Sequence, residues 1–380
     1  MISIKTQKKL LLTFVLGLLS FFSNAQEKIN YTFSNNLDEH SYLFFNENDT
    51  SKLSLKIRAN TFFKNNEYFG DFIKGYTLIG YMLQPELFYR PIKKLEISLL
   101  WNVLQYSGYD KFSDYKPYFR IKYSPTPKFS IIIGRIDGNV AHRLIEPIYN
   151  PERYFLNNIE NGLQFNYQST HYNGDLWLNW EKFLLWNDPW QERLTVGHKS
   201  EFLLNPMSKT KVSIAGEFLV SHRGGQIDLC DDPVQTLENG AIGFEIRRTQ
   251  KNVSYSYYSK FAQYHAIDPT PDVPYIDGYG IYNKLFIKFY NFGFICGHWW
   301  GDMFMNFRGD PLFSSQAIFA ENNKNKRAIL FNELFYAQKI HGIFSLKASV
   351  NTYYNLYNGD LEYAYMLSFV FNQIFSLSKK

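Results

Sequence analysis

Cysteine is nearly missing: Cys230 and Cys296 are the only two, with no CxxC and no His pair beside either. A secreted domain stapled by disulfides carries more, and a thiolate metal site needs closer spacing. Long apolar runs are missing as well. Beyond the first 25 residues no stretch of about 18 apolar residues occurs, and mean hydropathy is −0.30, which excludes a membrane-spanning helix. Charge of one sign is also scarce. Setting aside residues 1–25 removes three of 40 basic residues and none of 35 acidic ones, leaving +2, too little for a nucleic-acid partner. The eight histidines (40, 142, 171, 198, 222, 265, 298 and 341) are scattered, and none recurs at metal-ligand spacing.

What is present begins with an address. Lys5, Lys8 and Lys9 precede a short apolar core, Leu10 to Phe22, and Ser23-Asn24-Ala25 supplies small residues before Gln26. That layout predicts a secretory signal peptide over 1–25, cleaved after Ala25. Residues 26–50 read as a polar lead-in, with an extra strand around Ser41–Phe45 as an alternative.

Aromatic residues make up 19% of the chain: 35 Phe, 29 Tyr and 7 Trp. They are interleaved with Lys, Asn and Glu at a period of two. Leu53, Leu55, Ile57, Ala59, Thr61 and Phe63 share one face, while Ser54, Lys56, Arg58 and Asn60 share the other. The same alternation marks 79–90, 95–103, 115–123, 129–137, 161–169, 175–184, 192–204 and 210–222. It resumes at 239–248, 252–262, 281–291, 293–302, 327–338, 343–357 and 360–372, giving 16 strands. Short connections rich in Pro, Asn, Gly and Lys alternate with long ones near 64–75, 107–114, 138–160, 184–191, 223–238, 263–280 and 303–326.

Even strand number and loops sorted by length predict an all-β fold, a transmembrane antiparallel up-and-down barrel over 51–380. Closure follows because an unpaired backbone group in hydrocarbon costs several kcal/mol. Trp101, Trp186, Trp190, Trp299 and Trp300 fall near outward strand ends, where an indole sits among headgroups. The location implied is the outer membrane, with its lipid as one partner.

A barrel of this size predicts a water-filled channel. Its inward side chains include Lys56, Arg58, Glu86, Glu96, Lys116, Arg120, Lys122, Lys199, Glu217, Lys260 and Lys284. The third long connection holds Asp137, His142, Arg143, Glu146, Glu152 and Arg153. In strand count and in the slot of this loop the chain resembles the general porins of Gram-negative outer membranes. The resemblance covers the layout of the mature chain and rests on no family-specific motif.

It implies that the loop after the fifth strand folds inward, setting Asp137, Glu146 and Glu152 against Arg58, Lys116 and Arg120. Arg143 and Arg153 depart from a purely acidic loop. It also implies small hydrophilic solutes as cargo and the barrel-assembly machinery as partner, and leaves open a homotrimer. The terminal alternation Tyr363, Tyr365, Leu367, Phe369, Phe371 fits a barrel-assembly signal, although nine residues follow it.

Enzymatic signals are sparse. His222 beside Ser221, and His198 two residues from Ser200, suggest a membrane-embedded hydrolase with His222 as the best candidate, but sequence proximity does not supply the geometry that nucleophile, base and orienting group need. Asp228, Asp231 and Asp232 lack the spacing of a calcium loop. The expectation is therefore a non-enzymatic, porin-like channel without cofactor or metal. The alternative is a non-conducting barrel whose long loops bind a polysaccharide or protein partner.

Overall fold

The computed structural model describes residues 52–225, 227–317, 319, 325–340 and 343–377. The signal peptide, the lead-in and its alternative strand lie outside the described residues. The first eight strands are β1 (Leu53–Glu67), β2 (Tyr76–Ile92), β3 (Leu95–Tyr106), β4 (Asp114–Thr126), β5 (Phe129–Arg135), β6 (Asn161–Gln168), β7 (Tyr172–Lys182) and β8 (Glu192–Leu203). The second eight are β9 (Thr210–Gly224), β10 (Gln235–Gln250), β11 (Val253–Asp268), β12 (Asp277–Phe289), β13 (Phe292–Asp302), β14 (Lys326–Ile340), β15 (Phe344–Asn355) and β16 (Leu361–Ser376).

Every strand pairs antiparallel with its sequence neighbours, and β1 pairs with β16 from Ser54↔Ser376 to Glu67↔Tyr363. The sheet is a closed barrel of 16 strands, so no edge is left unpaired. Period-two patterning carries this architecture. In β2 and β16 burial alternates residue by residue, with Ile79, Tyr81, Leu83 and Leu87 outside, and Leu78, Met82, Gln84 and Glu86 inside. Large apolar side chains left exposed on a soluble protein would be an anomaly; here they form the lipid-facing belt.

The interior departs from the expected channel. The connection 136–160 turns inward after β5, carrying one 3-10 turn (Asn139–His142) and the one-turn helix α1 (Arg153–Leu156). Residues 303–317 join it, with a second 3-10 turn at Pro311–Phe313, where the Asp310 side chain accepts the Leu312 N–H. Ile145, Ile148 and Tyr149 of the first loop form one apolar cluster with Phe304, Leu312 and Phe313 of the second. Backbone bonds tie the two loops together: Asn150 N–H to the Arg308 carbonyl at 2.9 Å, and Asp310 N–H to the Glu146 carbonyl at 2.9 Å.

Wall residues complete this plug. Trp177 and Trp299 point inward and are almost fully buried, so Trp299 is not the interfacial indole expected for it. Trp299 packs on Phe304 and Phe313 with ring centroids 4.9 and 6.1 Å apart. Trp177 lies flat across the neighbouring strand, and a Cβ at Gly197 would meet its ring at 2.1 Å; glycine is required there for the ring to pass.

One buried clamp fixes the first loop to the wall. The His142 ring stacks on Trp177 at 3.5 Å and 8°, with Nε2 2.9 Å from Glu160 and Nδ1 2.8 Å from Asp175 of β7. Burial opposes a charged ring, but the carboxylates outweigh it and lift the His142 pKa to about 9. Burial likewise opposes charge on Glu160, and His142 overrides it, holding the carboxyl down to about 2.

Two outcomes are expected. Ile242 faces lipid midway along β10, so Ile242→Arg should cost about 2–4 kcal/mol in urea unfolding from vesicles; a change within about 0.5 kcal/mol would put that residue off the lipid face. The His142 clamp contributes fully below its unfolded pKa of 6.5 and is lost as pH rises through about 9, while Glu160 is lost only as pH falls toward 2. The unfolding temperature should therefore fall between pH 7 and 10. In His142→Gln stability should start lower, by on the order of 3 kcal/mol, and the unfolding temperature should vary little over that range. Parallel pH curves for the two proteins would contradict the clamp.

Candidate functional site

The residues expected at a constriction do meet charge partners, though only one pair is the expected one. Asp137 binds Arg120 through both oxygens, at 2.8 and 3.0 Å. Burial would raise its pKa, and the Arg120 guanidinium instead holds it well below the usual carboxylate range. Glu146 turns to Lys284 at 2.6 Å and to the Tyr282 hydroxyl, which keep its carboxyl low despite burial. Glu152 turns to Lys64 at 2.6 Å and to the Asn66 amide at 2.9 Å.

The basic residues go elsewhere. Arg58 donates to the Tyr154 hydroxyl and packs over that ring, while Lys56 lies 3.8 Å from Glu86. Lys116 is exposed near the end of β4, 3.7 Å from Asp114, and takes no part in the inner contacts; the expected pairing with the loop is corrected here. The Arg143 carbonyl accepts from Lys199. Arg153 lies over the Tyr149 ring and 3.6 Å from Glu181, to which Arg308 is bound bidentately at 2.9 and 2.7 Å.

Below the loop, Lys260 sits between Glu217 and Glu245, and Glu217 also accepts the Ile145 N–H at 2.8 Å. The space left among Glu146, Lys199, Glu245, Lys260 and Lys284 is about 10 Å³, room for about one water. At this level the expected water-filled lumen is replaced by side chains in contact. Strand count fixes barrel diameter, but it is silent on how much of the bore the loops refill.

The outer face carries a different arrangement. Inward positions of β8 are Thr195, Gly197, Lys199 and Glu201; His198 and Ser200 therefore point outward, toward lipid. Their ring nitrogen and hydroxyl meet: His198 Nε2 is 2.5 Å from Ser200 Oγ. His198 Nδ1 lies 2.8 Å from the backbone carbonyl of Asp175, which can only accept, so Nδ1 carries the proton and Nε2 is the base. Tyr172, outward on β7, places its hydroxyl 3.0 Å from Ser200 Oγ.

The second Ser/His neighbour fails by strand parity. Ser221 faces inward and His222 outward, where it meets Thr236 at 3.0 Å. Successive residues of a strand point to opposite faces, and residues two apart share one.

Ser200 is also reachable. Its cross-strand partners are Gly174 on β7 and Gly216 on β9. A Cβ at Gly216 would meet nothing within 4 Å. At Gly174 the Tyr172 ring takes up that space, 3.0 Å from where a Cβ would sit, so the open wall beside the hydroxyl is on the Gly216 side. The sequence offered His198 and Ser200 by their spacing but favoured His222, and it gave no sign of Tyr172 or Gly216, which only the register brings beside Ser200.

The sequence matches, over residues 45–380, the model of a family described as lipid A 3'-O-deacylase-type. No curated protein matches it. Among solved structures, the anion-selective porin of Comamonas acidovorans superposes with TM-score 0.53 at 8% identity, over 84% of this chain and 99% of its own. The loop L8 deletion mutant of OmpT, an outer membrane protein of Vibrio cholerae, gives 0.52 at 8% identity, over 86% and 100%. These likenesses show the fold: a porin-like outer-membrane β-barrel. The family, being enzyme-associated, overturns the expectation of a chain without an active site. Matched over most of its length, the chain belongs to the lipid A 3'-O-deacylase-type family.

Proposed function

We propose that this chain is an outer-membrane hydrolase of lipid acyl esters, with Ser200 as nucleophile and His198 as general base. The observation that carries the reading is the His198–Ser200 contact on the lipid-facing wall, with His198 held in the basic tautomer by Asp175.

The chemistry follows from those atoms. Ser200 Oγ attacks the ester carbonyl carbon as its proton moves to His198 Nε2. The resulting oxyanion forms beside Ser200, within reach of the Tyr172 hydroxyl as a hydrogen-bond donor. Collapse breaks the acyl–oxygen bond, and the departing alkoxide takes the proton from His198. Water then adds to the acyl-serine by the same proton path, releasing a fatty acid and restoring Ser200. The barrel wall supplies what an ester buried among acyl chains needs, a reactive group met without leaving the membrane.

A second reading, passage of small hydrophilic solutes, is favoured by the charged inner wall at Lys56, Arg58, Arg120 and Lys122 and by the porin-like architecture. Here the plug would set the current, with Asp137, Glu146 and Glu152 as the groups that hold it in place.

Two measurements follow. Fatty acid released from outer-membrane lipid by the purified barrel, read by mass spectrometry, should fall at least about 10³-fold in Ser200→Ala and about 10²-fold in Tyr172→Phe. Undiminished release by Ser200→Ala would sink the hydrolase. In planar bilayers the intact barrel should conduct weakly, and deletion of residues 138–158 should produce large current steps. A deletion protein as tight as the parent would remove the channel reading.

A further inference from the structure

We infer that the outer wall of β11–β15 is an interface with a second copy of this chain. The inference concerns a different side of the barrel from Ser200 and depends on neither reading above.

A break in the lipid-facing belt carries the argument. Midway along other strands the outward positions are apolar: Leu83 and Leu87 of β2, Phe119 of β4, Ile133 of β5, Leu367 and Phe369 of β16. Over five consecutive strands a polar row takes their place. Ser259 of β11 stands opposite Asn283 of β12, and Asn283 opposite His298 of β13. Two residues along β13 on the same face, Cys296 stands opposite Asn332 of β14, and Asn332 opposite Thr352 of β15.

Parity fixes the row on the outside. Ser259 is flanked by buried Tyr258 and Lys260, Asn283 by buried Tyr282 and Lys284, and His298 precedes buried Trp299. Asn332 follows buried Phe331, and Thr352 precedes Tyr353, which packs on the interior cluster. The members stand four to eight residues from the short-turn ends of their strands. At about 3.3 Å per residue and a tilt of about 40°, that is about 10–20 Å up the wall, in the middle of an apolar band about 25 Å tall.

Hydroxyl, amide and imidazole groups that face acyl chains have nothing there to bond. Asn283 accepts the Tyr257 hydroxyl at 3.1 Å. Among the described residues, Ser259, His298, Asn332 and Thr352 bond to no side chain of their own wall. A second protein surface pressed against the row supplies the partners that lipid lacks.

Two features select a copy of this chain as that surface. Copies in one membrane share one orientation, and a rotation about the membrane normal returns the row at its own height. Its hydroxyl, amide and imidazole groups each donate and accept, so the row complements itself. The extent also fits. Five strands about 4.8 Å apart across that band present about 800 Å², the share one partner gives to a standard interface. Behind the row, Trp299, Tyr282, Phe331 and Phe335 belong to the packed interior, which gives the contact a firm backing. β8 lies three strands beyond β11, so Ser200 keeps its access to lipid.

Cysteine cross-linking in outer-membrane vesicles tests the inference. In the full-length chain with Cys230→Ser, native Cys296 is one probe; Asn283→Cys and Asn332→Cys, each with Cys296→Ser added, are two more. Ile133→Cys in that same cysteine-free background is the control, eight strands from β13 across the barrel. Copper-phenanthroline oxidation should join two chains through a row position at least about tenfold more than through the control. A yield no better than the control, or a product joining the row to a different protein, overturns the inference. Sedimentation of the purified barrel in detergent gives a second readout. Asn283→Leu with Asn332→Leu should leave the barrel folded, by its heat-sensitive gel mobility, and weaken self-association at least about tenfold. Unchanged self-association, or a parent chain that sediments as one copy, removes the interface.

Discussion

In hydrocarbon an unpaired N–H or C=O has nothing else to bond, and a sheet placed there must close on itself. The pairing of β1 with β16 meets that demand, and the rest of the molecule is built on it. Once closed, a wall one residue thick has two faces with opposite solvents. Parity then decides what each side chain can do. It puts Lys199 and Glu201 into the interior lattice while His198 and Ser200, between and beside them, meet lipid. It also separates Ser221 from His222, though nothing stands between them in sequence.

Thinness has a second consequence at Asp175. Its carboxylate reaches inward, to His142 at 2.8 Å and to the Gln164 amide at 2.8 Å; its carbonyl reaches outward, to His198 at 2.8 Å. The residue that anchors the plug therefore also sets the tautomer of the base. On the proposed reading, a stiff plug would serve the outer site by fixing the strand from which His198 takes its orientation. On this view the lumen is filled because it supports the wall.

The barrel was legible because period two is a local signal repeated 16 times, and its breaks coincide with turn chemistry. Strand limits from sequence differ from those observed by a few residues; β10 and β11, for example, extend to Gln235 and Asp268 beyond 239 and 262. What sequence could not supply was contact across the bore. Asp137 with Arg120 was among the pairings the porin resemblance implied, three loop acids against three wall bases, whereas Glu146 with Lys284 and Glu152 with Lys64 join segments 138 and 88 residues apart. Trp299 was misplaced for a related reason, since an aromatic near a strand end serves the interface or the plug according to its parity, and β13 alternates weakly. The open wall beside Ser200 depends on Gly216 of the neighbouring strand, and glycine carries no periodic signal of its own.

Covalent capture of the nucleophile tests the central claim most directly. Outer-membrane vesicles carrying the barrel would be treated with a long-chain alkyl fluorophosphonate, and the modified peptide identified by mass spectrometry. The account predicts a single adduct on Ser200 that disappears in His198→Asn. An unmodified Ser200, or an adduct on another serine that survives that substitution, would contradict it.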